Sequence, residues 1–528
     1  MIDTTNNQNS KQDPNQDLNQ DPKQDLKQDL NQDLKQEKPL TNNQKQHQGK
    51  KRKQQRTQRP SQTGTKRAIE VKPPVEKNDV LETRVAGQGN SGEGILRIEE
   101  FPLFIPGVLT GELIRAKVTK VNAGHGFARL EEMLEPSPER QTPPCPYYGR
   151  CGGCNLQHQT YAGQLRFKTD RVRDCFIRIG GFENPEVLPA IGMDNPWRYR
   201  NKVQMPIGIS EGDVKVGFYR GRSHEIIDIN ECLIQNEASD LVADCVRNWI
   251  KTYDIPILEK EEVINPGVVR HLLIREGRYT NEIMVVLVAT STDILYLDEL
   301  QESLQTKVPN LTGLILNINN AVTNRVLGGT NLTVWGRDYI IDTIGELKYR
   351  ISPHSFFQVN PEQTKVMYDT ILKLAEFTGN EIILDLYCGA GSIALYMAEH
   401  VGHVTGVEIV PEAIADANYN MALNQISNAN FILGKSEEVI EQLMVRGSKP
   451  DVVIVDPPRK GCDESLLTAI GESGIPKLIY MSCDSATLAR DAAILKNYGF
   501  EPQTIQPVDN FPQTHHVETV VLITRENK

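Results

Sequence analysis

Apolar runs alternate with helix-like stretches through the last third of the chain. Strands that alternate with helices form parallel sheets, and such sheets bind ligands beyond the carboxyl ends of their strands. Residues 348–528 are therefore predicted to form a doubly wound, Rossmann-like α/β domain. The runs with the length and composition of buried strands are residues 382–387, 404–408, 451–455, 477–481 and 517–524.

Earlier parts of the chain carry different patterns. Residues 77–136 contain short β-rich runs separated by glycine turns, which is typical of a small β-barrel of the oligonucleotide-binding type. Residues 140–347 mix strands and helices without a nucleotide-binding motif and are predicted to form a central α/β domain. Residues 1–76 repeat units such as Lys-Gln-Asp-Leu with almost nothing to bury, so we predict a disordered tail.

The length and the cysteine content narrow the class of protein. A chain of 528 residues exceeds what one core accommodates, so about three folded units are expected. No apolar run has the length of a membrane-spanning helix, and the sequence does not open on an apolar signal core. Nine cysteines, three of them clustered, favour a reducing compartment over a disulfide framework. We expect a monomeric cytoplasmic protein without membrane contacts.

The net charge of −11 is unevenly distributed. Residues 1–76 carry +5, with eight Lys/Arg and no acid in segment 50–67, whereas the rest of the chain carries −16. The basic segment is equally consistent with an RNA-contacting arm and with a solvated tail. An acidic body gives no general support to nucleic-acid binding. Residues 197–202 and 218–222 nevertheless interleave aromatic residues with cations, a combination that can stack bases and bind phosphates.

Four cysteines are candidate metal ligands. Cys145, Cys151 and Cys154 lie within ten residues on a loop rich in glycine and proline, and Cys232 follows far downstream. Thiolates bind zinc or iron–sulfur clusters, and a triplet with one distant partner matches a [4Fe–4S] cluster better than the paired spacing of zinc sites. The central domain is therefore predicted to bind an iron–sulfur cluster. Other cysteines in helix-like stretches, Cys175 among them, are expected to be core residues.

The first strand of the C-terminal domain carries Asp385 and continues into a Cys-Gly-Ala-Gly turn, and Glu408 ends the next strand. This is not the Gly-x-Gly-x-x-Gly spacing of a dinucleotide site. It suits S-adenosylmethionine, because glycines let the backbone approach the amino-acid part of that cofactor and Glu408 can accept hydrogen bonds from its ribose. Asp456, which is followed by two prolines, ends a further strand beside the expected sulfonium.

Two residues near the end of the chain suit methylation at a pyrimidine C5. Cys483 follows one apolar strand and Glu518 lies at the start of the last one. A thiolate that adds at C6 makes C5 nucleophilic towards a methyl group, and a carboxylate then removes the C5 proton. Amino-group methylation is disfavoured because Arg459, not an aromatic residue, follows Asp-Pro-Pro. A DNA cytosine enzyme is disfavoured because the only Pro-Cys, at Cys145, precedes the cofactor motifs.

These motifs resemble those of the RNA 5-methyluridine methyltransferases, over about residues 79–524, and are most similar to the branch that methylates large-subunit ribosomal RNA. The motifs are residues 354–360, 385–391, 456–461, 482–484 and 509–518, together with residues 106–112 and 124–128, which resemble a TRAM domain. The resemblance implies Cys483 as nucleophile and Glu518 as base. The S-adenosylmethionine-binding residues that it implies are Gln358, Tyr387, Glu408 and Asp456, and the [4Fe–4S] ligands are Cys145, Cys151, Cys154 and Cys232.

Two alternative functions remain open from the sequence. The same C5 chemistry would serve a uridine in a transfer RNA loop. The cysteine set favours ribosomal RNA but does not exclude transfer RNA. A non-catalytic RNA-binding or ribosome-assembly factor would share the fold, but the presence of both Cys483 and Glu518 disfavours it. His515 and His516 are expected to form hydrogen bonds and not to carry protons.

Overall fold

The structure, a computed structural model, describes residues 72–210, 212–258, 268–322, 324–447 and 449–525. The predicted disordered tail and its basic segment lie outside these ranges, apart from residues 72–76. From Lys72 onward the described residues belong to one compact unit, so the predicted division of the chain into four parts stays a prediction. None of the helices in these ranges is long and apolar enough to cross a membrane.

The glycine-punctuated runs near the start form a six-stranded sheet, the N-terminal sheet, with the order β1-β5-β6-β4-β3-β2. Its strands are β1 (Val80–Arg84), β2 (Gly87–Gln88), β3 (Gly94–Ile98), β4 (Phe101–Ile105), β5 (Leu113–Val121) and β6 (Gly126–Glu135). Along β5, Ile114, Ala116 and Val118 are buried and alternate with more exposed residues. This period of two places one face of the strand on a core.

The middle of the chain forms a seven-stranded central sheet with the order β13-β12-β11-β10-β7-β8-β9. It comprises β7 (Lys202–Ser210), β8 (Asp213–Tyr219), β9 (Ile226–Asp228), β10 (Val269–Glu276), β11 (Ile283–Ala289), β12 (Leu311–Ile318) and β13 (Thr330–Gly336). The helices in this part are α1 (Tyr161–Arg178), α2 (Glu237–Tyr253) and α3 (Leu297–Lys307).

Strands β10 and β11 are apolar almost throughout because both of their faces are covered. Leu272 and Val285 pack in one core with residues of α2 and α3. Their neighbours Leu273 and Met284 pack in a second core, which also contains residues of the C-terminal part of the chain. A continuous apolar layer therefore joins the central sheet to the C-terminal part.

The C-terminal part begins with a hairpin and continues as a seven-stranded sheet with the order β18-β17-β16-β19-β20-β22-β21. The hairpin is β14 (Ile340–Ile344) and β15 (Leu347–Ile351); the helices are α4 (Pro361–Ala375), α5 (Ser392–Ala398), α6 (Pro411–Leu423), α7 (Ser436–Val445), α8 (Glu464–Glu472) and α9 (Ser485–Lys496). The strands of this C-terminal sheet are β16 (Ile382–Leu386), β17 (His403–Glu408), β18 (Ala429–Leu433), β19 (Val452–Val455), β20 (Lys477–Ser482), β21 (Phe500–Val508) and β22 (Glu518–Arg525).

The C-terminal sheet confirms the predicted doubly wound α/β fold. Strands β16 to β20 pair in parallel, and β22 runs antiparallel between β20 and β21. Consecutive strand residues enter opposite cores: Ile454 packs with α4 and α5, and Val455 packs with α8 and α9. Helices on both faces explain why these strands read as continuous apolar runs.

Helix α1 packs on the C-terminal sheet although it precedes the central sheet in sequence. Val172 and Phe176 lie in the same core as Leu488 of α9. After α1, the chain forms parallel bridges from Val187 to Ile505 and from Ile191 to Val508, so it extends the edge of β21. No local pattern in the sequence predicts this long-range packing.

A buried ion pair fixes α1 to the loop that begins where β21 ends. Lys168 of α1 and Asp509 both have fully buried side chains, and the Lys168 ammonium donates to the Asp509 carboxylate. It also donates to the carbonyl oxygen of Phe511, at 3.1 Å. Burial lowers the pKa of Lys168, and the charge of Asp509 opposes that shift. Because a buried charge without its partner is costly, each of the two residues needs the other.

Lys168→Met tests this pair, because it leaves Asp509 buried without a counter-charge. We expect the free energy of unfolding to fall by about 3–5 kcal/mol, as measured by chemical denaturation. Lys365→Met is the matched control. It removes an exposed ion pair within α4, that of Lys365 with Asp369 (2.7 Å), and should lower the free energy of unfolding by less than about 1 kcal/mol. Equal losses in the two variants would show that the buried pair does not stabilise the fold.

Candidate active site

The carboxyl ends of four strands meet at one edge of the C-terminal sheet, where the strand order reverses between β16 and β19. Tyr387 follows β16, Glu408 ends β17, Asp456 follows β19 and Cys483 follows β20. Because β22 is antiparallel to β20, its first residue, Glu518, lies at the same edge. The crevice at such a reversal is where open α/β sheets bind ligands. Five of the predicted site residues are thus brought to one place.

The pairing register sets the two predicted catalytic residues side by side. Ser482, the last residue of β20, pairs with Thr519 of β22. Cys483 and Glu518 are the next residues along these two antiparallel strands. The register therefore places a thiol and a carboxyl group next to each other at the mouth of the crevice.

Burial and neighbouring acids raise the pKa values of the groups at this edge. Burial raises the pKa of both Asp456 and Glu518, and the charge of Asp456 raises that of Glu518 further. The pKa of Cys483 is raised to about 11, first by burial and then by Glu518 and Asp456, while Arg459 acts in the opposite direction. The Oε2 atom of Glu518 has no hydrogen-bond partner among the described residues. It is free to accept a proton from a ligand.

Backbone donors fix the carboxylate of Glu408 beside the glycine turn. Its Oε2 accepts from the N–H of Gly389 (3.2 Å), and its Oε1 accepts from the N–H groups of Ile409 (2.8 Å) and Val410 (2.9 Å). At Gly391 the backbone has a φ of 80°, and an added Cβ would lie 2.8 Å from the ring of Phe431. Only glycine fits there, so the turn can pass close to a ligand without a side chain in the way.

The other two predicted cofactor residues also lie near the crevice. Tyr387 has a φ of 67°, a left-handed conformation that costs a bulky residue about 1–3 kcal/mol and that concentrates at functional sites. Gln358 lies between β15 and α4 and is largely buried, and its Oε1 accepts from Nδ2 of Asn510 at 3.3 Å. Asn510 belongs to the loop that leads to Glu518, so Gln358 contacts the segment that positions the predicted base.

Asp385 is a candidate site residue to which the sequence pattern assigns no individual role. Its side chain is fully buried, and neither carboxyl oxygen has a hydrogen-bond partner among the described residues. Burial, and then the charge of Asp456, raise its pKa well above the usual range. Its place in the strand directly before the glycine turn is the signal in the sequence that points to it.

The loop between β21 and β22, residues 509–517, is held by donors from several parts of the chain. Five successive carbonyl oxygens each accept a hydrogen bond. Helix α4 and the residue before it bind the first two: Gln363 Nε2 donates to residue 509 (3.1 Å) and Asn360 Nδ2 to residue 510 (3.2 Å). Lys168 Nζ donates to residue 511 (3.1 Å), Tyr199 Oη to residue 512 (3.0 Å) and the backbone N–H of Asn155 to residue 513 (3.1 Å). Gln513 has a φ of 69° and exchanges two hydrogen bonds with the side chain of Gln164. These contacts fix the approach of the chain to Glu518.

His515 in this loop is hydrogen-bonded, in line with the expectation for it. Its Nδ1 lies 2.8 Å from Nδ2 of Asn155. Burial lowers the pKa of His515 to about 4, and burial together with His515 lowers that of His516 to about 3. Both rings are therefore neutral at pH 7.

The four predicted metal ligands line one cavity, of about 440 Å³. The pKa of Cys154 is raised to about 12, first by burial and then by charge on the neighbouring cysteines, and that of Cys232 to about 11, first by burial and then by the charges of Asp240 and Cys151. Among the described residues, however, no three cysteine, histidine or acidic side chains are arranged to hold a metal ion. The donor chemistry fits a thiolate-bound metal, but the arrangement does not support the predicted cluster.

Comparison with known proteins identifies the relatives of this chain. Residues 279–526 match the family described as tRNA (uracil-5-)-methyltransferase, and residues 74–130 match the TRAM domain. Both matches confirm the resemblances predicted from the sequence motifs. A protein of Halalkalibacterium halodurans is 45% identical over 86% of this chain and 99% of its own. One of Clostridium tetani is 44% identical over 85% and 97%. Both are described as uncharacterized RNA methyltransferases.

One solved structure shares the fold over most of the chain. It is the tRNA (uracil-54, C5)-methyltransferase of Pyrococcus abyssi in complex with S-adenosyl-L-homocysteine. It is 25% identical, with a TM-score of 0.67, and the match covers 84% of this chain and all of that one.

The pKa of Cys483 predicts how its reactivity depends on pH. With a pKa of about 11, the thiolate fraction rises about tenfold per pH unit between pH 7 and pH 10, and the rate of alkylation by iodoacetamide should rise with it. Glu518→Gln removes a charge that raises this pKa, so it should speed alkylation at pH 9. Mass spectrometry of the Cys483 peptide measures the rate. The exposed Glu472→Gln is the control, and a rate that levels off below pH 9 would contradict the assignment.

Proposed function

Because this chain belongs to the RNA (uracil-5-)-methyltransferase family, we propose that it methylates C5 of uridine in RNA, with S-adenosylmethionine as the methyl donor. The observation that carries the proposal is the β20–β22 register, which sets Cys483 beside Glu518 at the ligand-binding edge. A nucleophile and a base at one point are what C5 methylation requires.

Cys483 is the nucleophile in this proposal. Its thiolate bonds to C6 of the uracil ring, and the electron pair of the C5–C6 double bond moves so that C5 becomes nucleophilic. S-Adenosylmethionine supplies the methyl group that C5 takes. The free Oε2 of Glu518 then accepts the C5 proton, the double bond re-forms and the C6–sulfur bond breaks. This returns Cys483 as a thiolate and leaves 5-methyluridine.

Four residues around the crevice would hold the methyl donor. Glu408, already oriented by three backbone N–H groups, has lone pairs left for the ribose hydroxyls. Asp456 would face the sulfonium, whose positive charge favours the ionised carboxylate. Gln358 and Tyr387 complete the set. Tyr387 directly precedes the glycine turn, and Gln358 contacts Asn510 of the β21–β22 loop.

Large-subunit (23S) ribosomal RNA is the substrate that we propose first, and the four-cysteine set supports it. Transfer RNA is the second candidate, because the Pyrococcus abyssi protein of the same fold acts, by its description, on a tRNA uridine. We further propose that the protein is a monomer of the cytoplasm, where its nine unpaired cysteines would stay reduced.

Mapping 5-methyluridine in a strain that lacks this protein tests the function. The modification should disappear from ribosomal RNA, return with the wild-type chain and stay absent with Cys483→Ala, because the C6 adduct cannot form. Cys245→Ala, which alters a cysteine buried in the central core, should restore it. Loss confined to transfer RNA would favour the second candidate, and full methylation with Cys483→Ala would refute the mechanism.

We also propose that Cys145, Cys151, Cys154 and Cys232 bind a [4Fe–4S] cluster. The chemistry of four thiol donors supports this proposal, and all four side chains line the same cavity. Burial raises the pKa values of Cys154 and Cys232, so a bound cation would favour their thiolate forms. Binding of the cluster would then be coupled to release of their protons.

Anaerobic purification tests the cluster. About four iron and four sulfide per chain are expected for a [4Fe–4S] centre, and Cys154→Ala should lose most of both. Cys245→Ala should keep them, because that residue lies in another core. Stoichiometric zinc without iron would refute the choice of metal.

A further inference from the structure

The cavity that the four cysteines line extends to three cations. Lys202 is the first residue of β7, and Arg200 lies two residues before it. Both line the cavity together with Arg459, which follows Asp-Pro-Pro at the end of β19. Phe511, Thr514 and His516 from the β21–β22 loop line it as well. The cavity thus lies between the cysteine loop and the segment that leads to Glu518.

Hydrogen bonds to the Gln358 segment hold two of these cations in place. Asn201, which lies between them, donates from Nδ2 to the carbonyl oxygen of Gln358 (3.1 Å) and from its N–H to that of Val359 (3.0 Å). Neighbouring residues of an extended chain point to opposite sides. Arg200 and Lys202 therefore both face the cavity while Asn201 faces the crevice segment.

These three cations have no carboxylate partner among the described residues. Arg200 donates to the carbonyl oxygen of Lys202 (3.0 Å), which leaves its charge unneutralised. Glu231, the one carboxylate among the lining residues that the structure describes, is paired with Arg198 at 2.6 Å. Burial, and then the charges of Arg275 and Arg200, lower the pKa of Lys202 to about 7. Arg200 and Arg459, which line this cavity without a carboxylate partner among the described residues, are suited to receive an anion, and a bound anion would favour the charged form of Lys202.

We propose that this cavity binds phosphate groups of the RNA chain next to the target uridine, through Arg200, Lys202 and Arg459. The inference rests on the proposed function, because it places the substrate strand beside Cys483 and Glu518. RNA would bring phosphate groups to this cavity, and cations bind phosphate irrespective of base sequence.

The residues of the aromatic–cation stretch 197–202 then have different roles. Arg198 pairs with Glu231 and Asp240, and the buried Tyr199 donates to the carbonyl oxygen of Pro512 (3.0 Å). These two residues support the fold. Arg200 and Lys202 are the members of the stretch that are left to bind RNA.

The salt dependence of RNA binding by the full chain tests the inference. Association constants for a ribosomal RNA fragment are measured at pH 6, where Lys202 is protonated, over a range of KCl. The plot of log K against log [KCl] should be less steep by about 0.7 in Arg200→Met and in Lys202→Met. Affinity at low salt should fall about three- to tenfold. Lys202→Arg keeps the charge and should keep the slope. Lys307→Met, at the exposed end of α3, is the control.

Iron and sulfide content separates phosphate binding from a role at the cysteines. If Lys202→Met loses iron, the cation serves to balance thiolate charge and the inference is overturned; a wild-type slope in Arg200→Met and Lys202→Met overturns it as well. Equilibrium binding needs no methyl transfer. A wild-type chain that binds RNA but does not methylate it would therefore refute the proposed function and still let the slopes decide whether the cavity binds phosphate.

Discussion

The ion pair between Lys168 and Asp509 is the constraint on which the crevice depends. It lies at the first residue of the β21–β22 loop, where β21 has ended and β22 has not begun. No strand pairing holds the chain there, so donors from elsewhere in the chain, mostly side chains, must supply its hydrogen-bond partners. Five successive carbonyl oxygens of the loop are bound by donors from three separate regions of the sequence. These bonds fix the approach to Glu518, and the pairing of β22 with β20 and β21 sets the position of that residue.

The same loop connects the cysteine cavity to the crevice. Asn155, which follows Cys154 directly, donates from its backbone to Gln513 and from its side chain towards His515. Phe511 and Thr514 form part of the cavity wall. A change in the conformation of the cysteine loop therefore acts on the segment that ends at Glu518. The two sites are separate in chemistry but share one structural element.

Patterns with a local cause were predictable, and contacts between distant residues were not. The strands of the C-terminal sheet are apolar because helices cover both faces, so their positions, and with them Cys483 and Glu518 at their ends, follow from the sequence. Lys168 and Asp509 are 341 residues apart, and each reads by itself as an ordinary surface charge. The packing of α1 on this sheet is unpredictable for the same reason. The arrangement of the four cysteines depends on such contacts too, and their spacing alone does not define a metal site.

Charge divides the region around Glu518 into two halves. On one side, Asp385 and Asp456 are buried with raised pKa values, so a cation that binds there stabilises their ionised forms. On the other side, Arg459 and Lys202 lack carboxylate partners among the described residues and favour an anion. A cationic methyl donor and an anionic RNA strand would each meet the half of opposite charge. In the proposed reaction, the methyl group passes from one ligand to the other beside Cys483 and Glu518.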